Sequence, residues 1–163
     1  MLASFHGDTN GLQTIPVLEA IHKTHQELPN AASIKLLFGL DANTYEHSVP
    51  GKTQDVLEFA AKYAALDITS IWGDHPDPTN HTTYNARTYL QPQLNKAAKK
   101  SELVAKGDVN PKDFIVYYNR DFTTDGLTKD NTGKKKYEEG MVFPTLDFPS
   151  DHGVLSAVIR KRF

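Results

Sequence analysis

The order of apolar and polar positions divides the chain into short strands and helices. Met1–Phe5 is apolar enough for a strand and is followed at once by His6-Gly-Asp-Thr-Asn-Gly11, a run of turn-forming residues. From Thr14 the period lengthens, and Ile15, Val17, Leu18, Ala20 and Ile21 make a stripe at helical spacing. Pro16 fits the first turn of that helix, where an N–H has no intrahelical acceptor, and Pro29-Asn30 ends it near Leu28. Ile34–Leu40 is a nearly unbroken apolar run, the pattern of a strand covered on both faces. It stops at Asp41-Ala-Asn-Thr-Tyr45. A second helix is predicted from Thr53, with Thr53 as N-cap and Val56, Leu57, Ala60, Tyr63 and Ala64 as its apolar face.

The second half is less regular. Residues 67–110 are mixed, with short strands or loops at Ile68–Trp72 and Thr82–Leu90 and then a lysine-bearing stretch ending at Gly107. Trp72 reads as a core residue. Asp113–Tyr118 is β-branched and aromatic, and Gly153–Ile159 alternates, so both are strands. Asn119–Gly140 is rich in Asp, Thr, Gly and Lys and predicts a long exposed loop or mobile hairpin. The expected fold class is α/β or α+β, with polar groups concentrated where strands end. In layered folds that is where ligand sites sit, since strand ends fix side chains while loops leave room.

A length of 163 residues suits one domain, and 39% hydrophobic with 23% charged residues is a globular composition. A net charge of -2 excludes a generally basic nucleic-acid coat while leaving room for a local basic groove. The absence of cysteine removes disulfides, thiolate metal sites and thiol nucleophiles. No apolar run is long enough to span a membrane, and the first residues lack a secretory pattern, which favours an intracellular location without fixing it.

Three generic motifs fail on inspection. Gly51-Lys52-Thr53 lies between strand and helix, but a phosphate loop needs an earlier glycine where this chain has Glu46, whose carboxylate would repel phosphate. Asp121, Asp125 and Gly126 resemble a calcium loop, but Thr123 and Thr132 stand where acidic or amide ligands are required. His22 and His25 share a helix face with nothing nearby to complete a metal site, and read as solvated. The remaining polar islands are more coherent. His6, the Asp41/Asn43 pair, Asp113 and the Asp151-His152 pair each flank an apolar strand. Packed side by side, such strands bring these groups to one edge, where carboxylate oxygens suit Mg²⁺ and phosphate better than a soft metal.

Phe-Gly-Leu-Asp41-Ala-Asn43 resembles the Gly-Asp-Phe-Asn signature of the endonuclease/exonuclease/phosphatase superfamily, which includes DNase I. Pro-Ser150-Asp151-His152 before a strand is similar to its C-terminal Ser-Asp-His signature. Lys112-Asp113-Phe-Ile-Val-Tyr resembles its Ile-Asp-Tyr strand with Lys112 in place of an apolar residue, and Phe5-His6 resembles its central histidine segment. The motifs follow one another in the family's order across nearly the whole chain. The resemblance implies a DNase I-like sandwich and metal-dependent hydrolysis of a phosphodiester, in nucleic acid, with Mg²⁺ or Mn²⁺. It implies that Asp41 and Asn43 hold the attacking water and scissile phosphate, and that Asp151 and Asp41 serve the metal. His152, oriented by Asp113, would contact the phosphate as base or electrostatic stabiliser. His6 would be a second phosphate contact and Asn10 a weaker one.

The departure from the family is equally specific. The family opens with strands carrying an Asn and a metal-binding Glu, and neither is present; Asp8 and Glu46 match no motif. The resemblance thus implies that the chain corresponds to the C-terminal portion, a partial domain over 1–163 short of about a hundred residues by comparison with the family's whole domain. Weak or absent activity is expected of this portion alone. It is expected to form a homodimer or to associate with the missing half, because half a sandwich exposes a sheet face. A phosphomonoesterase or lipid phosphatase on the same fold, and a non-catalytic phosphate- or nucleic-acid-binding remnant, remain open as alternatives. Tyr84, Asn85 and Arg87 are candidates to line a substrate groove, with Arg87 on a phosphate and Tyr84 against a base. Lys96, Lys99 and Lys100 and the Lys134–Lys136 run are candidates for backbone contacts that read better as solvated charge.

Overall fold

A computed structural model describes residues 1–84 and 107–162. Strand β1 (Leu2–His6) lies parallel to β2 (Leu37–Asp41), and the crossover that parallel neighbours require is supplied by helix α1 (Thr14–Glu27). Strand β4 (Asp113–Tyr118) pairs antiparallel with β2 on one side and with β3 (Ile68–Ser70) on the other, giving the order β1-β2-β4-β3. Helix α2 (Val56–Ala65) leads into β3. The described fold is therefore mixed α and β. Among its residues no helix is long and apolar enough to cross a membrane.

The period-two alternation of the strands sorts the sheet into two faces. Phe38, Leu40, Phe114 and Val116 are buried with Leu18 of α1 and Val56, Phe59, Ala60 and Tyr63 of α2, forming the core. Phe59 meets Phe114 edge-on at 5.3 Å between ring centroids, an arrangement that the ring quadrupoles favour. On the opposite face Leu2, Ser4 and His6 of β1 are exposed, and Asp41 and Asp113 occupy the corresponding positions of β2 and β4. The strand predicted at Ile34–Leu40 is thus shorter at its start and covered by core on one side, its other side only half-buried.

Several local expectations need correction. Helix α2 opens at Val56, so its capping position belongs to Asp55, whose carboxylate accepts the N–H groups of Leu57 and Glu58 at 2.8 and 3.2 Å. Thr53 instead accepts the Val49 N–H in the preceding turn. His25 is not solvated: it is fully buried, its Nε2 donates to the Ile34 carbonyl at 2.7 Å, and its ring packs on Tyr118. Asn119–Gly140 is more ordered than a loop, because it contains β5 (Phe122–Asp130), paired antiparallel with β6 (Val154–Lys161). Its polar composition fits a strand because this ribbon has no deeply buried face. Beyond it, Phe143 and Phe148 are buried against each other, fixing the loop that delivers Ser150-Asp151-His152 to the sheet. Trp72 packs against the core as expected, and its indole N–H also donates to the Asp113 carbonyl at 3.0 Å.

Candidate active site

Strand register alone assembles most of the polar islands. His6 stands beside Asp41 in the β1–β2 pair, and Asp41 stands opposite Asp113 in the β2–β4 pair, so the three form a row across one sheet edge. Like charges directly opposite one another destabilise an antiparallel pair. Here the Asp41–Asp113 pair is bridged by His152, arriving from the loop before β6. His152 Nδ1 donates to Asp113 Oδ2 at 2.9 Å, which leaves Nε2 directed toward Asp41 Oδ2 at 3.9 Å. The exposed His6 ring approaches the same oxygen at 3.4 Å. A carboxylate, an imidazole and a second carboxylate are therefore held in sequence, with side chains 19%, 27% and 13% exposed.

Each member is held by further contacts. Asp41 Oδ1 accepts the Asn43 N–H at 2.9 Å, and Asn43 Nδ2 donates to Asp41 Oδ2 at 3.2 Å and to the Gly7 carbonyl at 2.9 Å. Asn43 adopts a left-handed backbone (φ 47°), tolerable for an asparagine that bonds locally. The loop after β1 presses onto this corner. A Cβ on Gly7 would lie 2.9 Å from the Asp41 carbonyl, and one on Gly11 would collide with the Asn43 carbonyl. Thr82, 1% exposed, secures Asp113: its Oγ1 donates to Asp113 Oδ2 at 2.6 Å and accepts the N–H groups of Lys112 and Asp113.

The charges respond to this crowding. Burial pushes the Asp41 carboxyl above its ordinary range, with Asp113 adding to the rise and His152, the Asn43 N–H and Lys112 opposing it. Burial pulls His152 down, but its hydrogen bond to Asp113 and the charges of Asp113 and Asp41 outweigh that, so its net shift is upward. The imidazolium is thereby favoured beside two carboxylates.

The structure brings His6, Asp41, Asn43, Asp113 and His152 together. Asn43 is 6% exposed with both ends of its amide engaged by protein groups, so it orients Asp41. Asp41, Asp113 and His152 offer ligand atoms within 4.8 Å of one another, the one such group among the described residues, and Asp151 is not part of it. Asn10 is exposed, and its carbonyl accepts the Gln54 N–H. Tyr84 is half-buried near Gly140, while Asn85, Arg87, Lys96, Lys99 and Lys100 lie outside the described residues. Lys136 is paired with Glu138, and Lys134 and Lys135 are exposed. Glu46 pairs with His81 at 2.9 Å, and Asp8 accepts the Gln13 N–H.

Two contributors were not given their site role from sequence. Thr82 bonds across 31 positions, a separation at which one sequence carries no pairing signal. Lys112 is 2% exposed and points inward to Asn43. Its one trace in the sequence is a lysine where the resemblance has an apolar residue. No protein-family model matches the chain, and no curated protein matches it as a relative.

Proposed function

We propose that this chain carries a metal-dependent phosphoesterase site, directed at a phosphodiester in nucleic acid, on one half of a DNase I-like sandwich. The observation that carries the reading is the Asp113–His152 pair, Nδ1 to Oδ2 at 2.9 Å, with His152 Nε2 turned toward Asp41 on the neighbouring strand. Asp113 fixes the tautomer and favours the charged ring. The Nε2–H, on the side of the ring nearest Asp41, is then available as a donor for a phosphate oxygen, at the place where negative charge grows in a pentacoordinate transition state. Asp41 receives and orients the attacking water, held in place by two donors of Asn43. His6, exposed at the rim, is suited to a second phosphate oxygen.

The donor set fits a hard divalent cation. Two carboxylates share the site, and burial drives one of them upward, so an added positive charge is favoured there. Mg²⁺ or Mn²⁺ would be held by Asp41 and Asp113, and the proposal rests on these without Asp151. Such an ion supplies positive charge for the phosphate oxygens and for the attacking oxygen. The exposed outer side of β1, with Leu2 84% accessible, supports association with a second copy or a further sheet.

A second reading has its own support: a non-catalytic phosphate-binding module, favoured by the small ligand group of three residues. Incubation of supercoiled plasmid with Mg²⁺, then with EDTA, separates the two. EDTA-sensitive cleavage lost in Asp41→Ala supports the enzyme. Nucleic-acid binding without turnover supports the module. Neither binding nor cleavage would sink both.

A further inference from the structure

A lysine at the mouth of a strand ordinarily keeps its ammonium in water. Lys112, directly before β4, does the opposite. It is 2% exposed, and its Nζ donates to Asn43 Oδ1 at 2.9 Å and pairs with Asp108 Oδ2 at 2.8 Å, lying 5.3 Å from the Tyr45 ring centroid. Withdrawing an ammonium from water is unfavourable unless its donors are met, and a well-packed apolar residue would serve stability as well. A buried lysine here therefore calls for a role beyond packing.

The role follows from the two unlike ends of a carboxamide. Asn43 Nδ2 donates to the Gly7 carbonyl at 2.9 Å and to Asp41 Oδ2 at 3.2 Å. In the reversed orientation Oδ1 would face a carbonyl and a carboxylate, while the NH2 group would face an ammonium. Both contacts would be repulsive. Lys112 thus makes one orientation of Asn43 the stable one, and that orientation steadies the carboxylate nearest His6 and His152. Asp108 anchors the lysine and accepts a second bond from Asn110 Nδ2 at 2.6 Å. We infer that Lys112 is a positioning residue of the Asp41 site, anchored by Asp108, acting by holding the Asn43 carboxamide with its NH2 group toward Asp41.

The inference deepens the phosphoesterase reading and rests on it for its catalytic consequence, although the hydrogen-bond chain can be tested without that reading. The primary readout is hydrogen exchange of the Asn43 side-chain NH2 in ¹⁵N-labelled protein, its resonance assigned by its disappearance in Asn43→Ser. Lys112→Met is expected to speed that exchange at least about tenfold and to weaken Mn²⁺ binding about 10–100-fold, the range for groups that orient a ligand. Lys112→Arg, which keeps a cationic donor, should recover part of both. Unchanged Asn43 exchange in a folded Lys112→Met protein overturns the inference. If that variant does not fold, Asp108→Asn decides on the same readout: faster exchange supports the anchored lysine, and unchanged exchange contradicts it. Wild-type protein with a protected Asn43 amide that binds no Mn²⁺ would instead overturn the phosphoesterase reading and leave the positioning intact.

Discussion

Thr82→Val isolates the clamp between Thr82 and the start of β4. Valine keeps the shape of threonine and removes the hydroxyl. That hydroxyl is 1% exposed with its residue, donates to Asp113 Oδ2 at 2.6 Å, and accepts from Lys112 N at 2.9 Å and Asp113 N at 3.1 Å. A net hydrogen bond contributes about 1 kcal/mol, and a buried donor left without its acceptor costs about 1–3 kcal/mol. Loss of the donated bond together with one backbone N–H left stranded gives about 2–4 kcal/mol. Thr82→Ser keeps the hydroxyl and removes one methyl, a change of about 1 kcal/mol. Urea unfolding followed by circular dichroism reads the difference. At a slope of about 2 kcal/mol per molar urea, Thr82→Val should lower the midpoint by about 1–2 M relative to wild type, with Thr82→Ser shifted far less. Equal midpoints for the Val and Ser variants would refute the hydroxyl's role and leave only packing.

Other outcomes follow from the same geometry. Asp113→Asn should lower the His152 pKa, read by NMR titration of the imidazole without added metal, because Asp113 supplies both the hydrogen bond and the leading charge that raise it; no change would show that the pair is not electrostatic. The raised His152 makes a stabilising contribution that is complete below its unfolded value of 6.5 and lost as pH rises through the higher folded value, so wild type should lose its thermal advantage over Asp113→Asn across that window. Asp130 has the opposite sign. Desolvation raises it, but donors from Thr132, Lys135 and Gly133 together outweigh that and bring it down to about 2, so its contribution is present above 3.8 and disappears as pH falls toward about 2. Thermal melts of Asp130→Asn against wild type should therefore converge in acid, and a constant gap would contradict the assignment. Phe143→Ala, at a fully buried position against Phe148, should cost about 3–5 kcal/mol in urea unfolding, and a loss below about 1 kcal/mol would show that the loop is not anchored there.

The sequence made the strand ends legible because each polar island interrupts an apolar run abruptly. Leu40-Asp41 and Lys112-Asp113 are such boundaries, and pairing β2 with β4 turns two boundaries into one facing pair. Phe5-His6 joined them through the parallel register of β1. What could not be read was the direction in which a polar side chain points. Lys112 and His25 are polar residues at positions that solvent ordinarily claims, and both turn inward, Lys112 to Asn43 far along the chain and His25 to the Ile34 carbonyl beyond its own helix. Strand β5 was obscured for a related reason. Its threonines and charges resemble a loop because its burial comes from pairing with β6 more than from a core. Thr53 missed the cap by a shift of the helix start, the least determined feature of any helix pattern.

The central proposal is that Asp41 and Asp113, beside His152, hold a divalent cation. Isothermal titration of Mn²⁺ into wild-type protein and into Asp41→Asn tests it most directly. The account predicts one Mn²⁺ per chain for wild type and at least about tenfold weaker binding for the variant. Absence of binding to wild type, or equal binding to both proteins, would contradict it.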